Sequence, residues 1–132
     1  MYKQKFNPVS DIFDLVPKKG SIFSITGARN GNNSTDRDLK RGDVFFNQTP
    51  AIIPYDCTLI GITCATNGAE TWEAHVYKNG SSITFIPVTA QDSAIIQGLN
   101  IDFSAGDEVR LRQENAVGNI ARPAIKAYFE LK

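Results

Sequence analysis

His75 is the only histidine in a chain of 132 residues, so any imidazole base must be this one. A serine nucleophile would need it, a carboxylate to orient it, and a sharp turn to present the hydroxyl. No Gly-x-Ser-x-Gly elbow is present to do so. A multi-histidine metal site is ruled out by the same count. Glu73, Glu108 and Glu114 with Asp102 and Asp107 offer carboxylates for a glycosidase-type pair, but they fall at alternating outer positions and in turns, where solvated faces explain them. Asp36, Asp38 and Asp43 lie among asparagines, yet their spacing departs from the Asp-x-[Asp/Asn]-x-[Asp/Asn]-Gly calcium loop. The stretches GARNG and NGNN lack the lysine and the following helix of a phosphate-binding loop. Arg41-Gly42-Asp43 spells an integrin tripeptide, a match short enough to arise by chance. No catalytic, cofactor-binding or metal residue is assigned, and the chain reads as a non-enzyme.

Two thiols and a set of aromatics complete the inventory. If Cys57–Cys64 is one continuous strand, an odd separation puts the two sulfurs on opposite faces, out of reach of each other. They read as buried free thiols acting as small hydrophobes. Trp72 precedes the inward residues of a hairpin, which favours burial over a stacking platform for a sugar. Tyr55, Tyr77 and Tyr128 fall in a loop or on polar-side positions. There they suit a contact with another subunit or an exposed ligand surface.

The element that must position most of these residues is the stretch Thr71 to Val88, TWEAHVYKNGSSITFIPV. Asn79-Gly80 is its turn, since a type I′ turn needs positive φ at both central residues. Trp72, Ala74 and Val76 alternate with Glu73, His75 and Tyr77 before it; Ile83 and Phe85 alternate with Thr84, Ile86 and Val88 after it. Period-two alternation predicts a half-buried antiparallel pair. Ser21–Thr26 reads as a short strand. Gly27 to Gly42 is polar and glycine-rich and reads as a long surface loop, of the length that is usually functional or disordered. Cys57–Cys64 is apolar on both faces, so both must be covered, by a second sheet or a neighbouring subunit. Ala94–Ile101 is a strand interrupted near Gly98, and ENAVGNIARP is a loop. Val109, Leu111 and Gln113 alternate with Glu108, Arg110 and Arg112, and the closing strand turns Ile125, Ala127, Phe129 and Leu131 inward. The sum is an all-β chain, a jelly-roll type β-sandwich of about eight antiparallel strands with a short N-terminal arm.

Fourteen basic and fourteen acidic residues cancel. That balance argues against nucleic-acid binding, which asks for a basic face. No apolar stretch approaches the length of a membrane span, and the N-terminus lacks the apolar region of a secretory signal. Residues 1–19 differ from the rest: Tyr2, Phe6, Val9, Ile12, Phe13, Leu15 and Val16 are apolar, Pro8 and Pro17 interrupt them, and lysines bracket them. Ser10 is placed to cap a turn of helix through Asp11–Leu15. Seven apolar side chains in such an arm need a cover. Two readings supply it: a strap lying on the domain's own core, or an arm (residues 1–19) docking on a partner, carried by residues 20–132.

Several stretches taken in order resemble a known group. Pro54-Tyr55-Asp56-Cys57-Thr58-Leu59 leads into a strand; Thr71, Trp72, Val76, Asn79 and Gly80 form a Thr-Trp-x-x-x-Val-x-x-Asn-Gly hairpin; Phe103, Ala105, Gly106, Asp107 and Val109 form a Phe-x-Ala-Gly-Asp-x-Val turn. Together they look like the small jelly-roll domains of tailed-phage head-fibre, tail-fibre and decoration proteins, and more distantly the tumour necrosis factor and complement-type globular heads. The likeness spans about residues 43–131. It implies a bacteriophage virion structural protein without catalysis or cofactor. It implies packing as a homotrimer around a threefold axis, and docking by the arm on a capsid, neck or fibre protein. The alternative is a carbohydrate- or host-receptor-binding module.

Overall fold

The computed structural model describes residues 2–7 and 12–132, with side chains from Lys18 onward. Every regular element among them is a strand. In chain order they are β1 (Tyr2–Asn7), β2 (Ile12–Pro17), β3 (Ile22–Ala28), β4 (Asn32–Asn33), β5 (Arg37–Asp38), β6 (Lys40–Arg41) and β7 (Val44–Phe45). Then come β8 (Ala51–Ile52), β9 (Cys57–Lys78), β10 (Ser81–Phe103), β11 (Glu108–Val117), β12 (Ile120–Ala121) and β13 (Ala124–Leu131).

The expected hairpin is the centre of the fold and is longer than its sequence pattern implied. Asn79 and Gly80 both take positive φ, 51° and 88°, as a type I′ turn requires. From that turn β9 and β10 pair antiparallel all the way back to Cys57 and Phe103. Midway, Gln91 pairs with Glu70 but Ser93 already pairs with Ala65, so ATNGAE is a wide bulge inside one strand rather than a turn between two. There the ribbon passes from one layer of the folded sheet to the other. Its far half (57–65 with 93–103) is flanked by β13 and then β3; its near half (70–78 with 81–91) is flanked by β11, whose free edge carries β5 and β8. These strands form one nine-stranded antiparallel sheet that continues from β3 through β6 to β7; folded through the shared ribbon into two layers, with sequence-distant strands interleaved, it nearly closes on itself as a jelly roll. Between them lies the core, which includes Trp72, Phe46, Leu59, Ile62, Leu111 and Phe129.

Three expectations are corrected. Cys57 and Cys64 face the same way, not opposite ways. Tyr128 pairs with Gly61 while Phe129 pairs with Leu59, so Ile60 is an extra residue that shifts the phase of β9. Cys57, Leu59, Ile62 and Cys64 therefore all point into the core. Both thiols are free, and burial pushes each pKa up to about 11. Second, the Gly27–Gly42 stretch is not purely a surface loop. It contains β4, β5 and β6, and it buries Leu39 and Asp38 completely or nearly so; ENAVGNIARP likewise carries β12 and buries Ile120. Third, residues 12–15 are strand and not helix, because β2 pairs with β1 from Tyr2↔Pro17 to Asn7↔Ile12. Of the candidate docking residues, Val9 lies outside the described residues, as do the side chains of Tyr2, Phe6, Ile12, Phe13, Leu15 and Val16.

Candidate functional site

His75 sits on the outer face of the β5–β11–β9–β10 layer, nearly buried by its neighbours. Its ring stacks on Phe85 of β10, centroids 4.5 Å apart. Nε2 lies 2.9 Å from Glu73 Oε1 and Nδ1 lies 2.6 Å from Ser82 Oγ. A carboxylate only accepts, so Nε2 carries a proton towards Glu73, and the serine hydroxyl, able to donate or accept, completes the contact at Nδ1. Asn115 Nδ2 donates to the same Glu73 oxygen at 2.8 Å. Glu73 is held below the usual carboxylate range, foremost by the His75 hydrogen bond, with Asn115 helping and burial opposing. On paper this is a serine, a histidine and a glutamate in contact. In space it lacks what acyl transfer needs. The hollow beside Ser82 is lined only by Ser82, Ile83, Thr84 and Phe85, an open strand surface. Ser82 itself is paired within the ribbon rather than presented on a strained elbow. What the cluster does is tie β9 to β10 and β11 across the sheet.

The same layer carries a second polar tie. Asp38, its side chain 1% exposed, accepts from Arg110 Nε at 2.9 Å and Arg112 Nη1 at 2.8 Å, while Arg112 Nε also meets Glu114 at 3.3 Å. Tyr77 bonds Glu114 through its hydroxyl and lies under the Arg110 guanidinium. Its phenol is raised by burial first and by Glu114 second. The carboxylates considered for a cation are thus dispersed: Asp38 is neutralised by arginines, and Asp36 accepts from the Asn115 amide.

The other layer, β3–β13–β9–β10, has a different outer face. Ile22 is 58% exposed and Ile95 60%, and with half-buried Ile60, Leu99 and Tyr128 they line a trough of about 520 Å³. Its polar lining residues are Thr63, Gln97 and Glu130. The double-sided apolar pattern of Cys57–Cys64 is explained: one face meets the opposite layer, and the other is left without a cover among the described residues. Of the three candidate tyrosines, Tyr128 lies in this trough, Tyr77 is held by internal partners, and Tyr55 is exposed in the loop before β9. The structure does not bring them together. Trp72 is 2% exposed, with its indole N–H unpartnered, and offers no stacking surface.

The three sequence motifs meet at one end of the sandwich. Asp56 Oδ1 accepts from the Ala105 amide at 2.9 Å, Asp107 Oδ2 accepts from the Ser104 amide at 2.8 Å, and Asp107 Oδ1 accepts from Asn79 Nδ2 at 3.0 Å. Asn79 Oδ1 in turn accepts from the Glu108 amide at 2.8 Å. The Pro-x-Asp, Asn-Gly and Ala-Gly-Asp signatures are thereby one hydrogen-bonded knot joining three turns.

No protein-family model matches the chain, and no curated protein matches it. Among solved structures, it superposes on a chain of the cyanophage Pam1 capsid asymmetric unit. The likeness is one of fold. Its TM-score is 0.52 at 17% identity, and it covers 89% of this chain and 89% of the Pam1 chain.

Alternation along β9 put Glu73 and Tyr77 on the face of His75, but the sequence did not reveal its neighbours on β10 or the extent of the trough. Ser82 and Phe85 reach the ring only through the register of the ribbon. Ile95 beside Ile96 in AIIQGLNI, with Ile60 beside Gly61, was the available signal that one outer face is apolar.

Proposed function

We propose that the chain is a non-enzymatic structural protein of a bacteriophage virion, a jelly-roll head of the capsid-decoration, head-fibre or tail-fibre kind. The observation that carries this reading is the end-to-end likeness to a cyanophage capsid chain, nine-tenths of each being covered. The uncovered apolar trough supports it, because a surface of that kind asks for another protein. On this reading the trough with Tyr128 is the face between copies, in a homotrimer. Residues 1–19 are the arm that docks on a capsid, neck or fibre protein, and Tyr55 stands on an exposed loop. Burial of Trp72 removes the best platform for a sugar ring, which leaves the glycan- or receptor-binding alternative with Tyr55 and Phe85 as exposed aromatics.

Particles of the virus that encodes the chain, purified and analysed by mass spectrometry, should contain it at a copy number set by the particle's symmetry. The full chain should rebind particles stripped of it, and the chain lacking residues 1–19 should remain folded and fail to rebind. Absence from purified particles would overturn the virion assignment. Rebinding by the truncated chain would overturn the role of the arm.

A further inference from the structure

The glycine-rich stretch after β3 encloses a polar cleft of about 510 Å³, lined by Arg29, Asn30, Arg37, Lys40, Asp43 and Phe45 among others. Three cations face one carboxylate there. Among the described residues none of the three makes an ion pair, although Asp38 close by is taken by Arg110 and Arg112. Arg37 and Lys40 are both held over the Phe45 ring, 5.3 Å and 4.9 Å from its centroid. Arg29 is only 7% exposed. Its Nη2 donates to Gln113 Oε1 at 2.8 Å and to the Ile120 carbonyl at 3.4 Å, its Nη1 reaches the Asn30 carbonyl only at 3.5 Å, and its Nε has no partner. All of these acceptors are neutral. A guanidinium this deep, beside a second guanidinium and with no counter-charge, is costly, and burial with Arg37 lowers its pKa.

The arrangement is also built rather than incidental. Gln113, fully buried on β11, accepts from Arg29 and donates through Nε2 to the carbonyls of Asn33 and Thr35, at 3.0 Å and 3.1 Å. One amide side chain therefore fixes both the arginine and the loop that walls the cleft. Independently of the virion assignment, we propose that the cleft is a binding site for a doubly charged oxyanion, a phosphate monoester, gripped by Arg29, Arg37 and Lys40. Three cations against Asp43 leave a charge that a dianion balances, and arginine forks match the geometry of its oxygens.

The test is thermal unfolding of the full chain in inorganic phosphate, in sulfate, in acetate and in chloride at equal ionic strength. At about ten times its dissociation constant, the preferred dianion should raise the melting temperature by about 3–5 °C over chloride. Phosphate should act more strongly than sulfate, whose esters carry a single charge; a stronger response to sulfate would overturn the phosphate assignment. The Arg29 Nε–H resonance should move in the same titration. Arg29→Gln is expected to disturb the Gln113 clamp and the fold, so Arg37→Gln and Lys40→Gln carry the test: each should keep the chloride melting temperature and lose most of the dianion shift. A response no larger than in chloride, an equal response to acetate, or an undiminished response in both variants would overturn the proposal.

Discussion

A Cβ added at Gly27 would lie 2.6 Å from Phe46 Cε2 and 3.2 Å from Leu39 Cβ. Both neighbours are fully buried, so neither has free space to move into. The backbone at Gly27 is not left-handed, and the constraint is one of packing alone. Gly27→Ala should cost about 1–3 kcal/mol through overpacking, read as a lower urea midpoint with unchanged slope. Asp107 is a residue of the opposite kind, half-buried and polar. The Ser104 amide first, then Asn79, hold its carboxyl below the ordinary aspartate range. A pKa lower in the folded chain than in the unfolded one gives stability that is present above the unfolded value, near 4, and is lost as pH falls through the folded value. Glu73 adds to the same slope. Urea midpoints measured from pH 6 down to pH 2.5 should fall, and Asp107→Asn should start lower and fall less steeply.

The buried Asp38 and its two arginines hold β5 to the edge of β11. Asp38→Ala would strand two half-buried guanidiniums against each other and cost about 3 kcal/mol; amides of residues 37–40 should then exchange faster than those of β9. Asp38 also shows where sequence reading stopped. It stood in a polar, glycine-rich stretch and looked solvated, because its partners lie more than seventy residues away on an element whose register no local pattern encodes. What was legible was whatever repeats every second residue: the inward Val109, Leu111 and Gln113, the inward Ile125 to Leu131, the Asn79-Gly80 turn and the burial of Trp72. What was not legible followed from single inserted residues. One at Ile60 reverses every later side chain up to Cys64, so a correct strand carried Cys64 on the wrong face relative to Cys57. The arm's β1–β2 pairing was hidden in the same way, since Pro8 and Pro17 masked a segment with no sustained alternation.

For the molecule as a whole, the two outer faces differ in chemistry. One is a ladder of ion pairs and hydrogen bonds that satisfies itself; the other carries a mainly apolar trough without a cover among the described residues. Association should therefore run through the trough. Ile95→Asp places a charge at its most exposed residue without touching the core. It should leave the melting temperature within about 2 °C and convert an oligomer to monomer by light scattering; an unchanged mass would move the contact elsewhere. The shared ribbon has a mechanical corollary. Since β9 and β10 each belong to both layers, neither layer can peel off or slide while the other stays intact. Tension applied across the sandwich is carried along covalent backbone rather than by hydrophobic adhesion between sheets. The domain should yield all at once, as one unit, and until then resist shear like a folded strip clamped at its crease.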